Sequence, residues 1–429
     1  MMSIAVGEAA GARSAPVWSL RRIVTAGVIG NVLEWYDFAV YGYFASTLGA
    51  LFFPAEDPAS QTLAAFATYA VGFLMRPVGA ALFGHIGDRY GRARALVISI
   101  ALMAIPTVLM GLLPTYASIG IAAPLAMVLL RMAQGLAVGG EFTSSMVFLA
   151  ENSPQQRRGF FTSFSMFGAT AGTMLGSAVV ALLTSVMSAN ALTEWGWRAA
   201  FVSGIVVAAV GVAIRRGMFD TTNGTMEKAP LTRAFREHRW QVLRIGLLNC
   251  GTAVIYYTLF VYAATWVPQA TSVPRATAIQ VTTLSMVTFL VVLPLVATLS
   301  DRIGRKGLMI GGLAACLVLA YPLVRLMHTG DPVLLTVGQL AFAALLACSM
   351  APIPATMCET FPHGVRVSAV SVGYGLAYAL FGGTAPLVAA WLIKRTGNDL
   401  AFVGYVMAVV ALSLAIAATM RERRGEPLR

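Results

Sequence analysis

Four residues at three- and four-residue steps, Asn31, Glu34, Asp37 and Tyr41, interrupt the apolar string GNVLEWYDFAVYGYF at residues 30–44. On a helix that spacing gathers them on one face. A second stripe, Arg131, Gln134, Glu141 and Ser145, runs through RMAQGLAVGGEFTSS, and Arg76 lies in FLMRPVGAALFG. A charge near the centre of a bilayer costs roughly 2.5–3.5 kcal/mol on insertion scales, so such groups must face a protein or water-filled interior. In those surroundings a carboxylate beside an arginine stays charged, and one separated from it takes up a proton. Making and breaking the pair therefore ties protonation to conformation. Counting about 1.5 Å per residue from opposite ends of the two stretches puts Glu34 and Arg131 near the midplane. Asp37 then lies a turn further out, and Arg76 and Glu141 nearer the inner side. Permanent salt bridges between helices are the plainer reading, although small and neutral polar residues make cheaper glue.

The elements that hold these residues must be membrane helices. The chain has 429 residues, 58% hydrophobic and 11% charged, with a mean hydropathy of +0.76. A water-soluble core cannot absorb that much apolar surface. The long apolar runs suit helices crossing a hydrocarbon layer of about 30 Å, not barrel strands. Twelve spans are predicted, beginning near Ile23, Ser60, Ala95, Ile119, Gly159, Ala199, Leu243, Ala276, Gly307, Val333, Val367 and Leu400. Residues 1–22 are expected to be a cytoplasmic tail with no cleaved signal peptide. The formal charge of +12 reads as topology. With both termini in the cytoplasm, only Arg198, Arg275, Arg325, Lys394 and Arg395 fall outside, which satisfies the positive-inside bias. Cys250, Cys316, Cys348 and Cys358 lack metal-ligand spacing and read as packing residues. No metal or cofactor is expected, and the four histidines fall in loops or at span ends.

Two motifs repeat about half a chain apart. GHIGDRYGRARAL, residues 84–96, is echoed by ATLSDRIGRKGLM, residues 297–309, and Glu151, Pro154 and Arg158 by Glu359, Pro362 and Arg366. The repeat divides the chain into six-helix halves at 23–216 and 243–420, with a cytoplasmic linker at 217–242 and a tail at 421–429. Parallel halves imply a pseudo-twofold axis along the membrane normal and a solute site between them. Asp88, at the start of the third span, can favour that helix's positive end, and Arg89 and Arg92 can pair with acids such as Glu151. A cytoplasmic gate is expected from Asp88, Arg89, Arg92, Glu151 and Arg158 with Asp301, Arg302, Arg305, Glu359 and Arg366. No comparable charge interrupts the interior of the second half. Gly168, Gly172 and Gly176 form overlapping Gly-x-x-x-Gly steps, more economically read as packing within the chain than between copies.

The paired Gly-x-x-x-Asp-Arg-x-Gly-Arg loops resemble the signature of the major facilitator superfamily, with Ala297 in place of the leading glycine in the second copy. GNVLEWYDFAVYGYF, FLMRPVGA, RMAQGLAVGGE, EWGWR at 194–198 and FGGTAPL at 381–387 together resemble the metabolite:proton symporter family. That resemblance implies an all-α fold of twelve helices and uptake of small carboxylate-bearing solutes such as citrate, 2-oxoglutarate, shikimate, proline or betaines. It also implies Asp37 and Arg131 as the proton-coupling pair, as in related sugar porters. Where that family often has Asn after the tyrosine of the eleventh span, Gly375 follows Tyr374.

The resulting expectation is a proton-coupled symporter importing a small organic acid across a bacterial-type inner membrane, working as a monomer and driven by the proton gradient. Glu34, Asp37, Arg131 and Glu141 would carry the proton. Arg76, Arg131, Asn31, Tyr41, Gln134, Tyr256, Tyr374 and Tyr378 would meet the solute, with tyrosines offering a hydroxyl and an aromatic face. A zwitterion such as proline or betaine is the alternative. The tail RERRGEPLR is too short for a regulatory coiled coil. A drug exporter is disfavoured by cavity arginines, nucleic-acid binding by the lack of interleaved aromatics around 215–244, and an enzyme by the absence of a catalytic motif.

Overall fold

A computed structural model describes residues 20–90, 92–138, 141–206, 209 and 230–428. The side chains of Asp88, Arg89, Arg92 and Glu141, and residues 217–229 of the expected linker, lie outside the described residues. The described part is helical. Nine helices among the described residues are long and apolar enough to cross a membrane. They match the second (Pro58–Ala80), fourth (Ala122–Glu151), fifth (Gln155–Val186) and seventh to twelfth expected spans. The last six are Arg236–Ala270, Arg275–Ile303, Lys306–Met327, Pro332–Thr360, His363–Thr396 and Ala401–Thr419. The first span is Leu20–Tyr43, the third Arg92–Leu112, and the sixth is described over Trp197–Val202. Together they form two six-helix halves.

Local chemistry sets the helix limits. Asp57 accepts a hydrogen bond from the Ser60 amide at 2.8 Å, and Asp331 one from the Val333 amide at 2.7 Å. Each acid precedes a proline at the first helical position, where a missing N–H costs nothing. Pro77, by contrast, lies inside the second span, and the helix ends at Leu74 and restarts at Arg76. The seventh and eleventh spans each contain a π-helical turn, Thr258–Tyr262 and Tyr378–Gly382. The helix Pro230–Tyr257 breaks at His238, so the seventh span is already helical upstream of Leu243.

Small residues bring the helices together. A Cβ on Gly168 would lie 2.7 Å from the Val28 carbonyl oxygen, and one on Gly172 2.3 Å from that of Val32. The fifth span packs on the first through these two positions, which is the intramolecular use of the glycine steps.

Both ends of the bundle are closed by contacts between the halves. At the face carrying the repeated loops, Arg158 meets Glu359 at 2.9 Å, and Glu359 also accepts from Arg305 at 2.9 and 3.2 Å. Asp301 accepts from the Gly159 and Phe160 amides at 2.8 Å each and binds Arg305 at 2.8 Å. Arg366 pairs with Glu151, and His363 lies 3.7 Å from the same carboxylate. The tail folds across this latch. Glu422 accepts from the Arg305 and Lys306 amides, Arg424 donates to the Asp301 carbonyl, and Gln155 donates to the Gly425 carbonyl. At the opposite face Arg275 donates to the Tyr43 carbonyl at 2.6 Å and to Thr47, and Lys394 binds Asp57 and Ser60.

Asp301, the aspartate of the second loop, caps the fifth span of the other half through the N-terminal amides of Gly159 and Phe160. The described partners of Glu151 are Arg366 and His363 of the second half. Arg302 stays exposed. The second half does bury charge, in Arg305, Glu359 and Arg366, but at the latch and not in the middle of the bundle.

Candidate functional site

Two buried ion pairs hang from the first span. Arg131 Nη1 lies 3.4 Å from Asp37 Oδ2 and donates to Gln134 Oε1 at 2.7 Å. Gln134 Nε2 in turn donates to Asp37 Oδ2 at 2.5 Å and to Thr107 Oγ1 at 2.9 Å. Arg131 also lies over the rings of Phe38 and Tyr41, 4.4 Å from each centroid. First, third and fourth spans thus converge on one carboxylate, with Asp37 and Arg131 no more than 3% exposed. The second pair joins Arg76 Nη1 to Glu34 Oε1 at 3.8 Å.

These pairings revise the midplane count made from sequence. Arg131 meets Asp37 and not Glu34, and Arg76 takes Glu34 as its partner. Depth along a helix does not choose a partner, which depends on the faces that the first, second and fourth spans turn to one another.

Arg76 ends in a box of rings. Its guanidinium carbon is 4.0 Å from the centroid of Phe73, 4.7 Å from Phe38 and 5.2 Å from Trp35. Such stacking stabilises a desolvated cation by about 2 kcal/mol. Its Nε and Nη2 have no hydrogen-bond partner among the described residues, nor have Trp35 Nε1 and the Tyr257 hydroxyl. From the second half, Tyr256, Tyr257 and Tyr378 approach Trp35 at 6.2, 6.2 and 6.5 Å between centroids. Tyr374 stacks on Tyr378 at 4.0 Å. A Cβ on Gly383 would lie 2.3 Å from Phe73, so the FGGTAPL segment lets the eleventh span reach the second. Both π-helical turns begin at or beside these tyrosines, a placement common at functional sites.

Asn31 and Tyr41 stand apart from this cluster, whereas Tyr256 links it across the halves. Asn31 donates to Ser145 Oγ and to the Ser165 carbonyl, which ties the first span to the fourth and fifth. Tyr41 donates to the Ala65 carbonyl and belongs with Arg131. Tyr256 donates to Thr170 and Thr173 across the halves. Phe38, Phe73, Tyr69 and Thr107 were missed from sequence. Phe73, three residues before Arg76, and Phe38, four after Glu34, had helical spacing as their one available signal.

The profile of a family described as "Sugar (and other) transporter" matches residues 23–219 and again 216–429. A proline/betaine transporter of Salmonella typhimurium is 35% identical over 96% of this chain and 85% of its own length. An ectoine/proline transporter of Corynebacterium glutamicum is 34% identical over 96% and 86%. An alpha-ketoglutarate permease of Escherichia coli is 33% identical over 93% of each chain. Among solved structures, the xylose transporter XylE of E. coli, partially occluded and inward open, superposes with a TM-score of 0.74 at 19% identity, covering 95% of this chain and 99% of that one. The two-half helical bundle, the buried central site and these matches agree: the chain is a multi-pass membrane transporter belonging to the sugar-transporter family of the major facilitator superfamily.

Proposed function

We propose that the protein is a proton-coupled symporter that imports a small zwitterion of the proline or betaine class by alternating access. The observation that carries this reading is the two-signed pair of Arg76 and Glu34 set within a box of aromatic rings. The unused Nε and Nη2 of Arg76 suit the two oxygens of one carboxylate. Glu34 and the faces of Trp35, Tyr257 and Tyr378 suit a secondary or quaternary ammonium. A dicarboxylate would bring two negative charges to a site that already holds an acid. The Salmonella and Corynebacterium relatives are named for proline, betaine and ectoine, and support the zwitterion over the organic acid favoured from sequence alone. The E. coli permease, named for alpha-ketoglutarate, keeps the organic acid as the second reading.

In this scheme Asp37 carries the proton, and Arg131, Gln134 and Thr107 hold it in either state. Glu141 remains a candidate from sequence. The loop-bearing face is cytoplasmic, with both termini on that side, in a bacterial inner membrane. The test is uptake into liposomes containing purified protein under an imposed inward proton gradient, with labelled proline, betaine, 2-oxoglutarate and citrate. Concentrative uptake of proline or betaine is expected. Uptake of the di- and tricarboxylates alone overturns the substrate assignment, and uptake indifferent to the gradient overturns the coupling.

A further inference from the structure

The two buried ion pairs share one ring. The guanidinium carbon of Arg76 lies 4.7 Å from the Phe38 centroid and that of Arg131 lies 4.4 Å from it. Phe38 follows Asp37 directly and lies one helical turn beyond Glu34, so the first span carries it past both acids. The ring is fully buried and edge-on to Phe73 at 4.8 Å and to Tyr69 at 6.1 Å. Gly72 of the second span runs beside it: a Cβ there would lie in ordinary contact, 3.5 Å from Phe38 and 3.4 Å from the Arg131 carbonyl oxygen. The ionisable groups around the ring are Glu34, Asp37 and Tyr41 from the first span, Tyr69 and Arg76 from the second, and Arg131 from the fourth. Tyr257 of the seventh stands behind Phe73.

We infer that Phe38 is the positioning residue through which solute and proton sense each other, an inference that rests on the function proposed above. Its faces attract both cations and its body keeps water from between them. Charges separated by apolar material interact several times more strongly than across water. A proton on Asp37 removes a negative charge that repels a solute carboxylate arriving at Arg76. By thermodynamic reciprocity, the bound carboxylate then favours that proton. A smaller, non-aromatic side chain releases both guanidinium groups and admits water, so the two sites fill independently.

Half-saturation for labelled betaine, measured in liposomes at about pH 6 and about pH 8, reads this coupling, because a typical coupling spans about 5–150-fold. Wild type is expected to bind about 10-fold more tightly at the acid value. Phe38→Leu should still exchange betaine but with the ratio reduced to about 2-fold, and Phe38→Tyr, which keeps an aromatic face, should preserve it. A Phe38→Leu protein with the wild-type ratio and wild-type accumulation overturns the inference. If that variant does not exchange, equilibrium binding of betaine to the purified protein at the same two pH values decides. An unchanged ratio, or no binding at either pH, counts against a coupling role, and a collapsed ratio supports it. Failure of the parent reading shows in the wild type itself, as uptake without proton dependence, and removes the basis of both.

Discussion

Arginine and carboxylate are buried together at the centre of the first half and again at the latch, yet the two regions are built differently. The central contacts are long, 3.8 Å for Arg76–Glu34 and 3.4 Å for Arg131–Asp37, and Arg76 keeps donors unused. Across the latch Arg158, Arg305, Asp301 and Glu359 meet at 2.8–2.9 Å, and Glu359 serves two arginines at once. A pair that must admit a solute or release a proton leaves hydrogen-bonding capacity free. A pair that must hold two domains together is drawn close and shared among several groups. The same residue types therefore mark a site in one place and a fastening in the other.

The contrast is tested most severely at Asp37. Asp37→Asn should abolish concentrative uptake driven by a pH gradient while sparing part of the solute exchange, because the amide keeps the contacts but carries no transferable proton. Concentrative uptake equal to wild type would remove Asp37 from the coupling scheme. Removing Arg131 should damage both activities. Arg76→Lys comes next: replacing a fork by a point charge loses one charge-assisted hydrogen bond, about 1.5–3 kcal/mol, or roughly 10–150-fold in half-saturation for betaine. A change below about 2-fold would place the carboxylate elsewhere.

Glu359→Gln should instead act on conformation. It leaves Arg158 and Arg305 buried without their shared counter-charge, which typically costs about 3–5 kcal/mol in a buried pair. The latch should open, increasing labelling of a cysteine introduced on the loop-bearing side, while betaine binding at the centre persists. Unchanged labelling would mean that the loops only set topology. The smallest effect is expected at the exposed Lys394–Asp57 contact, which solvent and salt screen. Hydrogen bonds from the Ser60 hydroxyl and amide, with Lys394 adding to them, hold the Asp57 carboxyl down at about 2. Because this value is lowered, whatever the cap contributes is complete above the ordinary aspartate value of about 3.9 and is lost only as pH falls through about 2. Lys394→Ala should therefore leave the pH profile of uptake between about pH 5 and pH 8 unchanged, and a shift in it would give this contact a larger share in closing the face opposite the repeated loops.

Much of this was legible in the residues themselves. Repeated loops and apolar runs specify two six-helix halves, because lipid leaves the backbone little choice but helix. Buried charges announce themselves for the same reason, which is why Glu34, Asp37, Arg76 and Arg131 stand out. Their pairing was less visible. A midplane count gives depth along each helix, not which faces of neighbouring helices meet, so it does not choose between Glu34 and Asp37 as the partner of Arg131. Latch partners such as Arg158–Glu359, 201 positions apart, depend on how the halves face each other, which no local pattern encodes. Phe38 had only its helical spacing from Glu34 to mark it, since a phenylalanine in an apolar helix is ordinary until two arginines are found over its ring.

The π-helical turns at Thr258–Tyr262 and Tyr378–Gly382 give the two tyrosine-bearing spans a freedom that regular helices lack. Each turn holds one surplus residue. Passing that surplus along by one position turns the side chains it crosses by about 100° without lengthening the span, since about 3.6 residues complete a turn. Tyr257 and Tyr378 thus stand beside built-in swivels, able to leave the solute's path while the cylinders that carry them stay docked.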